Sequence, residues 1–143
     1  MWAGRFEVKR GLDRTFIFDG AHNAAGAESF SITYGELFKD APKTIVMAIL
    51  KDKNQDAIIR EVVKVGDTVL VVPAPTDRTE VPEVLVEKIR HIVPKAIAQT
   101  ADSVEDALAL AYKHTKTGDI ITVCGSLYIL GDARQWFNHE MSH

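Results

Sequence analysis

Five consecutive residues, Asp19-Gly20-Ala21-His22-Asn23, place a carboxylate, an imidazole and a carboxamide directly after the apolar run Phe16-Ile17-Phe18. A carboxylate at a strand end suits the hydroxyls of a ribose, as acidic residues do in dinucleotide folds. The imidazole can donate to a carboxylate or a phosphate. A helix beginning near Asn23 adds the partial positive charge of its N-terminus, which favours an anion. The competing reading is a strand-to-helix turn with Asn23 as N-cap. So many polar groups in five residues are costly to fold unless a ligand uses them, which argues for a site.

Two further strand ends carry chemistry. Cys124-Gly125-Ser126-Leu127-Tyr128 follows Ile120-Ile121-Thr122-Val123. Gly125 lets a ligand approach the backbone, and Ser126 offers a hydroxyl beside the N–H groups of a helix start. The alternative is that Ser126 is only an N-cap and Cys124 a small buried residue. Lys51-Asp52-Lys53 follows Ala48-Ile49-Leu50, and Arg78 lies in the loop after another strand. These charges, with Asn23, are further candidates, although solvated strand ends also look like this. No Gly-x-Gly-x-x-Gly follows a strand and no Gly-x-x-x-x-Gly-Lys-Ser/Thr phosphate loop is present. His91 and His114 stand isolated on helices, and His139 and His143 lie in a polar tail, so no metal site is expected.

These groups must be positioned by the elements around them. Thr15–Phe18, Thr44–Ile49, Thr68–Val72, Ala96–Ala98 and Ile120–Val123 are continuous apolar runs rich in β-branched residues. Strands read this way when a parallel sheet is covered on both faces. Between them, Ala27, Phe30, Tyr34, Leu37 and Phe38 follow helical spacing, as do Ile58, Ile59, Val62 and Val63. Further helices carry Leu85, Ile89, Ile92 and Val93, then Val104, Ala107, Leu108, Ala111 and Tyr112, and last Ile129, Ala133, Trp136 and Phe137. Ser103 with Asp106 resembles a capping box. Arg5-Phe6-Glu7-Val8-Lys9 is a short strand candidate, and the turn Gly11-Leu12-Asp13-Arg14 makes a hairpin with the next strand. The expectation is one α/β domain over residues 1–143. Its Rossmann-like, mostly parallel sheet should have about six strands, one antiparallel, with helices on both faces.

Composition bounds the setting. The 143 residues are 46% hydrophobic and 26% charged, with net charge −3. Such a mildly acidic chain, with Lys and Arg scattered, has no electrostatic footprint for nucleic acid. One cysteine excludes an internal disulfide and fits a reducing compartment. No apolar run approaches the ~20 residues that span a bilayer, and Met1-Trp2-Ala3-Gly4-Arg5 lacks the apolar stretch of a signal peptide. A cytoplasmic setting without membrane or nucleic-acid partners is expected.

Taken in order, the strand-end motifs resemble one family. Trp2-Ala3-Gly4-Arg5-Phe6-Glu7 is similar to the Trp-Pro-Gly-Arg-x-Glu stretch that opens the C-terminal domain of folylpolyglutamate and dihydrofolate synthases. Asp19-Gly20-Ala21-His22-Asn23 with Gly26 resembles that family's Asp-Gly-Ala-His-Asn-Pro. Lys51-Asp52-Lys53 resembles its Lys-Asp-Lys-Asp, and Gly125-Ser126-Leu127-Tyr128-Ile129-Leu130-Gly131 its Gly-Ser-Leu-Tyr-x-x-Gly. Ala3 and Ala24 stand where the family usually has Pro, and Asn54 replaces the second Asp of the charged segment.

The resemblance implies a domain of the Mur ligase superfamily, part of an ATP-dependent ligase. Full-length members activate a folate or dihydropteroate carboxylate as an acyl phosphate, and glutamate attacks it to form an amide. The resemblance places Asp19 on the ATP ribose and Arg5 on the nucleotide or its phosphates. It places His22 and Ser126 on the glutamate as the catalytic pair. ATP and Mg²⁺ are the implied cofactors, with the phosphate loop and Mg²⁺ ligands in a preceding central domain outside this chain, so the isolated domain is expected to be inactive. A Mur-type ligase with another acid substrate, or a non-catalytic module binding a nucleotide or amino acid, are the alternatives.

Overall fold

Each β-branched run forms a strand because its side chains alternate between two apolar layers. The computed structural model describes residues 5–142, so Trp2, Ala3 and Gly4 of the first motif, and His143, lie outside the described residues. The strands are β1 (Glu7–Gly11), β2 (Arg14–Phe18), β3 (Thr44–Met47), β4 (Thr68–Val71), β5 (Ile97–Thr100) and β6 (Ile120–Cys124). The helices are α1 (Ala24–Phe38), α2 (Gln55–Val62), α3 (Pro82–Ile92), α4 (Val104–His114) and α5 (Leu130–Met141), with a single 3₁₀ turn at Leu127–Ile129 before α5.

The strands form one sheet in the order β1-β2-β6-β3-β4-β5. Only β1–β2 is antiparallel. Ile17, Ile45, Met47, Val69 and Val71 point to a layer with Ala27, Phe30, Ile58, Val62, Leu85 and Ile89, from α1, α2 and α3. Phe16, Phe18, Val46, Leu70, Ile121 and Val123 point to the opposite layer with Ala107, Leu108, Ala133 and Phe137, from α4 and α5. The period-2 alternation of each strand therefore feeds two cores. The expected mostly parallel, two-sided α/β sheet is what forms.

The helix starts follow local chemistry. Asn23 caps α1 by accepting the Gly26 N–H, Asn54 caps α2 by accepting the Ala57 N–H, and Ser103 caps α4 by accepting the Asp106 N–H. Pro82 opens α3, where its missing N–H has no helical partner to lose. The hairpin differs from expectation in its bounds. β1 runs through Gly11, and the turn is Leu12-Asp13 with φ 54° and 60°. This mirror-image two-residue turn matches the right-handed twist of the strands. Gly11 stays in the strand through its pairing with Arg14, and a Cβ there would press on the Met141 thioether and the Phe137 ring. β5 begins one residue later than expected and carries exposed Gln99 and Thr100, as an edge strand tolerates.

At the N-terminal edge of the sheet, Lys43 and Asp67 form an ion pair at 2.7 Å, each side chain only 2% exposed. Asp67 also accepts the N–H groups of Lys43 and Lys64 at 3.0 and 2.9 Å. Among the described residues, no helix is long and apolar enough to cross a membrane.

Candidate functional site

The topology puts the chemistry at one edge. β2 and β3 lead into helices on one face, whereas β6, lying between them, leads into α5 on the other. Loops diverge on both sides of β6, which opens a crevice beyond the carboxyl ends of the strands. The antiparallel β1 begins where β2 ends, with Glu7 opposite Phe18, so Arg5 and Phe6 reach the same edge.

Asp19 continues the β2–β6 pairing through its N–H to Val123 O at 3.0 Å. Its side chain, 8% exposed, holds two backbone groups. Oδ1 accepts the Ala21 N–H at 2.7 Å, and Oδ2 accepts the Phe6 N–H at 2.9 Å. Burial pushes the Asp19 carboxyl above its ordinary value, against the opposing pull of the two N–H groups and of the Arg5 charge. Each oxygen still has a lone pair for an external donor. The next residue on the loop with chemistry, His22, donates Nδ1–H to Gly20 O at 2.8 Å, since a carbonyl only accepts. With Nδ1 so used, Nε2 is the ring nitrogen left for a further partner. Asn23 is occupied as a cap, with its Oδ1 2.8 Å from Gly26 N.

Arg5, Asp19 and His22 line one cavity of about 550 Å³ with the start of α1 and with Leu127. Ser29 and Thr33 also line it, from α1. Sequence reasoning missed these two. Their spacing from Ala25 by four and eight residues, one stripe of the helix, was the available signal.

Ser126 is placed differently. It is 1% exposed, and its Oγ accepts the Tyr128 N–H at 3.1 Å as cap of the 3₁₀ turn. Leu127, rather than Ser126, lines the cavity. The reason for Gly125 also differs from expectation. Its φ is +101°, and a Cβ would collide with the Ala48 carbonyl oxygen, so glycine is needed for the close approach of β6 to β3. Cys124 is fully buried, and burial pushes its thiol far above the ordinary range.

Lys51, Asp52, Lys53 and Arg78 gather on a separate lip. Lys51 N–H donates to Arg78 O at 2.8 Å, Glu80 N–H to Ile49 O at 3.1 Å, and Leu50 bridges Thr79 antiparallel. Arg78 pairs with Asp52 at 2.7 Å, and this contact holds the Asp52 carboxyl below its ordinary value. None of the four lines the cavity. Among the described residues, no group of three or more His, Cys, Asp or Glu could hold a metal ion.

The family model described as "Mur ligase, glutamate ligase domain" matches residues 4–127, a span that holds Arg5, the Asp19–Asn23 loop and the Gly125–Leu127 turn. The chain belongs to this family. The ligase domain is 30% identical over 133 residues to a probable bifunctional folylpolyglutamate synthase/dihydropteroate synthase of Haloferax volcanii. That alignment covers 93% of the ligase domain but 15% of the relative. Folylpolyglutamate synthase from Thermotoga maritima superposes with a TM-score of 0.78 at 29% identity, covering 96% of the ligase domain and 31% of that chain. E. coli FolC in complex with DHPP and ADP superposes with a TM-score of 0.83 at 25% identity, covering 98% and 32%. The ligase domain thus spans about a third or less of these relatives.

Proposed function

We propose that the ligase domain serves an ATP-dependent ligase that joins glutamate to a folate or dihydropteroate carboxylate. The observation that carries this is the convergence of Arg5, Asp19 and His22 on one cavity of about 550 Å³ at the carboxyl edge of the sheet. The named relatives, folylpolyglutamate synthases among them, give the substrate class, and the FolC complex with DHPP and ADP supports a nucleotide in the site.

In this reading the free lone pairs of Asp19 accept the ribose hydroxyls, and Arg5 meets the phosphates. ATP supplies a phosphoryl group that converts the acid to an acyl phosphate. The glutamate nitrogen then forms a bond to that carbonyl carbon and gives up a proton as the carbon–oxygen bond to phosphate breaks, and inorganic phosphate leaves. His22 Nε2 accepts a hydrogen bond from the incoming amine, and this orients its lone pair. Ser126 acts through the fold: its hydroxyl oxygen caps the turn that carries Leu127 into the cavity wall. The described residues form no cluster suited to Mg²⁺, so no step is assigned to the metal here.

The test is steady-state kinetics of the complete ligase carrying this domain, with dihydropteroate or a reduced folate as the acid. Phosphate release that requires both the acid and glutamate is expected, with Asp19→Ala raising the ATP KM roughly ten- to a hundredfold, the value of a lost charge-assisted hydrogen bond. Phosphate release that ignores glutamate, or an unchanged ATP KM in a folded Asp19→Ala protein, would sink the assignment.

A further inference from the structure

The chain at Arg5–Glu7 is held more firmly than a strand start needs. The Phe6 N–H is bonded to Asp19 Oδ2 at 2.9 Å. Phe6 has φ 39°, in the left-handed region that a bulky side chain avoids unless its surroundings impose it. Its ring, 7% exposed, packs on Phe30 and Phe38 at centroid distances of 5.4 and 6.5 Å. Beyond it, Glu7 Oε1 accepts Arg134 Nε at 3.1 Å, which ties β1 to α5 across 127 residues of chain.

The Glu7–Arg134 pair is poorly explained by stability. Its side chains are 31% and 28% exposed, so solvent screens the attraction. Arg134 lies over the Phe18 ring at 6.0 Å and leaves its Nη2 enclosed without a partner, which carries a desolvation cost. Neither residue lines the cavity, whereas Arg5, two positions from Glu7, does.

We propose that Glu7 and Arg134 are positioning residues for Arg5. Their contact pins the start of β1 from the α5 face while Asp19 pins Phe6 from the cavity face, and together they hold Arg5 over the site. The inference rests on the reading of Arg5 as a nucleotide contact.

The test is a set of double-mutant cycles in the complete ligase, with the ATP KM and kcat as readouts and thermal melting as the folding control. Glu7→Gln and Arg134→Gln are each expected to raise the ATP KM about three- to tenfold with kcat nearly unchanged, and to add nothing in an Arg5→Ala background. The charge swap Glu7→Arg with Arg134→Glu should recover most of the loss. If Arg5→Ala raises the KM while Glu7→Gln and Arg134→Gln are silent, or act equally with Arg5 absent, the inference is overturned and the reading of Arg5 stands. An Arg5→Ala protein with an unchanged ATP KM overturns both.

Discussion

The Asp19 carboxylate holds the Phe6 N–H at 2.9 Å across 13 residues of chain, so a cavity-lining residue is also the anchor of the segment that carries Arg5. Burial raises the Asp19 pKa from its reference of 3.8, and the two N–H groups and Arg5 oppose that rise. A raised folded-state pKa means that the native protein holds this proton more tightly than the unfolded chain. This group's contribution is therefore fully present below about pH 3.8 and is lost as pH rises through the folded value. Asp19→Asn has no such titration. Denaturant unfolding from pH 3 to 7 should show the variant gaining relative to the parent as pH rises above about 4, whatever its constant offset from the mispaired amide at Phe6. A difference that is flat with pH would contradict the assignment.

The Lys43–Asp67 pair predicts a large structural effect far from the cavity. Both side chains are 2% exposed, and among the described residues Lys43 Nζ is the one cation in ion-pair contact with Asp67. Lys43→Met leaves a buried carboxylate with backbone donors alone, at a cost of about 3–5 kcal/mol. Lys43→Met with Asp67→Asn should recover part of this, because the remaining amide carries no charge. Chemical unfolding of the three proteins checks both statements.

Gly125 should not tolerate a side chain, for reasons of packing rather than ligand access. A left-handed φ costs a non-glycine residue about 1–3 kcal/mol, and the Cβ also meets the Ala48 carbonyl. Gly125→Ala is expected to lower the melting temperature by several degrees or more. If it melts like the parent while changing only ligand kinetics, the close approach of β6 to β3 does not govern this position.

His22 and Ser126 should separate by readout. Ser126→Ala removes the cap on Tyr128 N–H and is expected to cost about 1 kcal/mol of stability. His22→Ala removes a half-buried ring bonded to the Gly20 carbonyl of its own loop, so its effect should fall on the glutamate KM. If both grip the same glutamate, the double variant loses less than the sum of the single losses. Melting shifts in both variants with unchanged glutamate KM would assign both residues to folding alone.

The elements of this domain were legible in the sequence because their signals are local. β-branched apolar runs marked β2, β3, β4 and β6, helical spacing marked all five helices, and Ser103 with Asp106 marked the start of α4. The Asp19–Asn23 loop stood out for the same reason, since its polar density is contained in five residues. What tertiary structure alone decided is which distant residues meet. Periodicity says nothing about strand order, and it is the insertion of β6 between β2 and β3 that opens the crevice and forces glycine at position 125. Nor does residue type separate a cap from a ligand contact. Asn23 and Ser126 both use their side-chain oxygens on backbone N–H groups, yet Asn23 lines the cavity beside His22 and Ser126 does not, and only the three-dimensional arrangement tells them apart. Pairs such as Glu7 with Arg134 and Asp52 with Arg78 depend on chain segments brought together by the sheet, so their contacts exist only once the long-range pairing has formed.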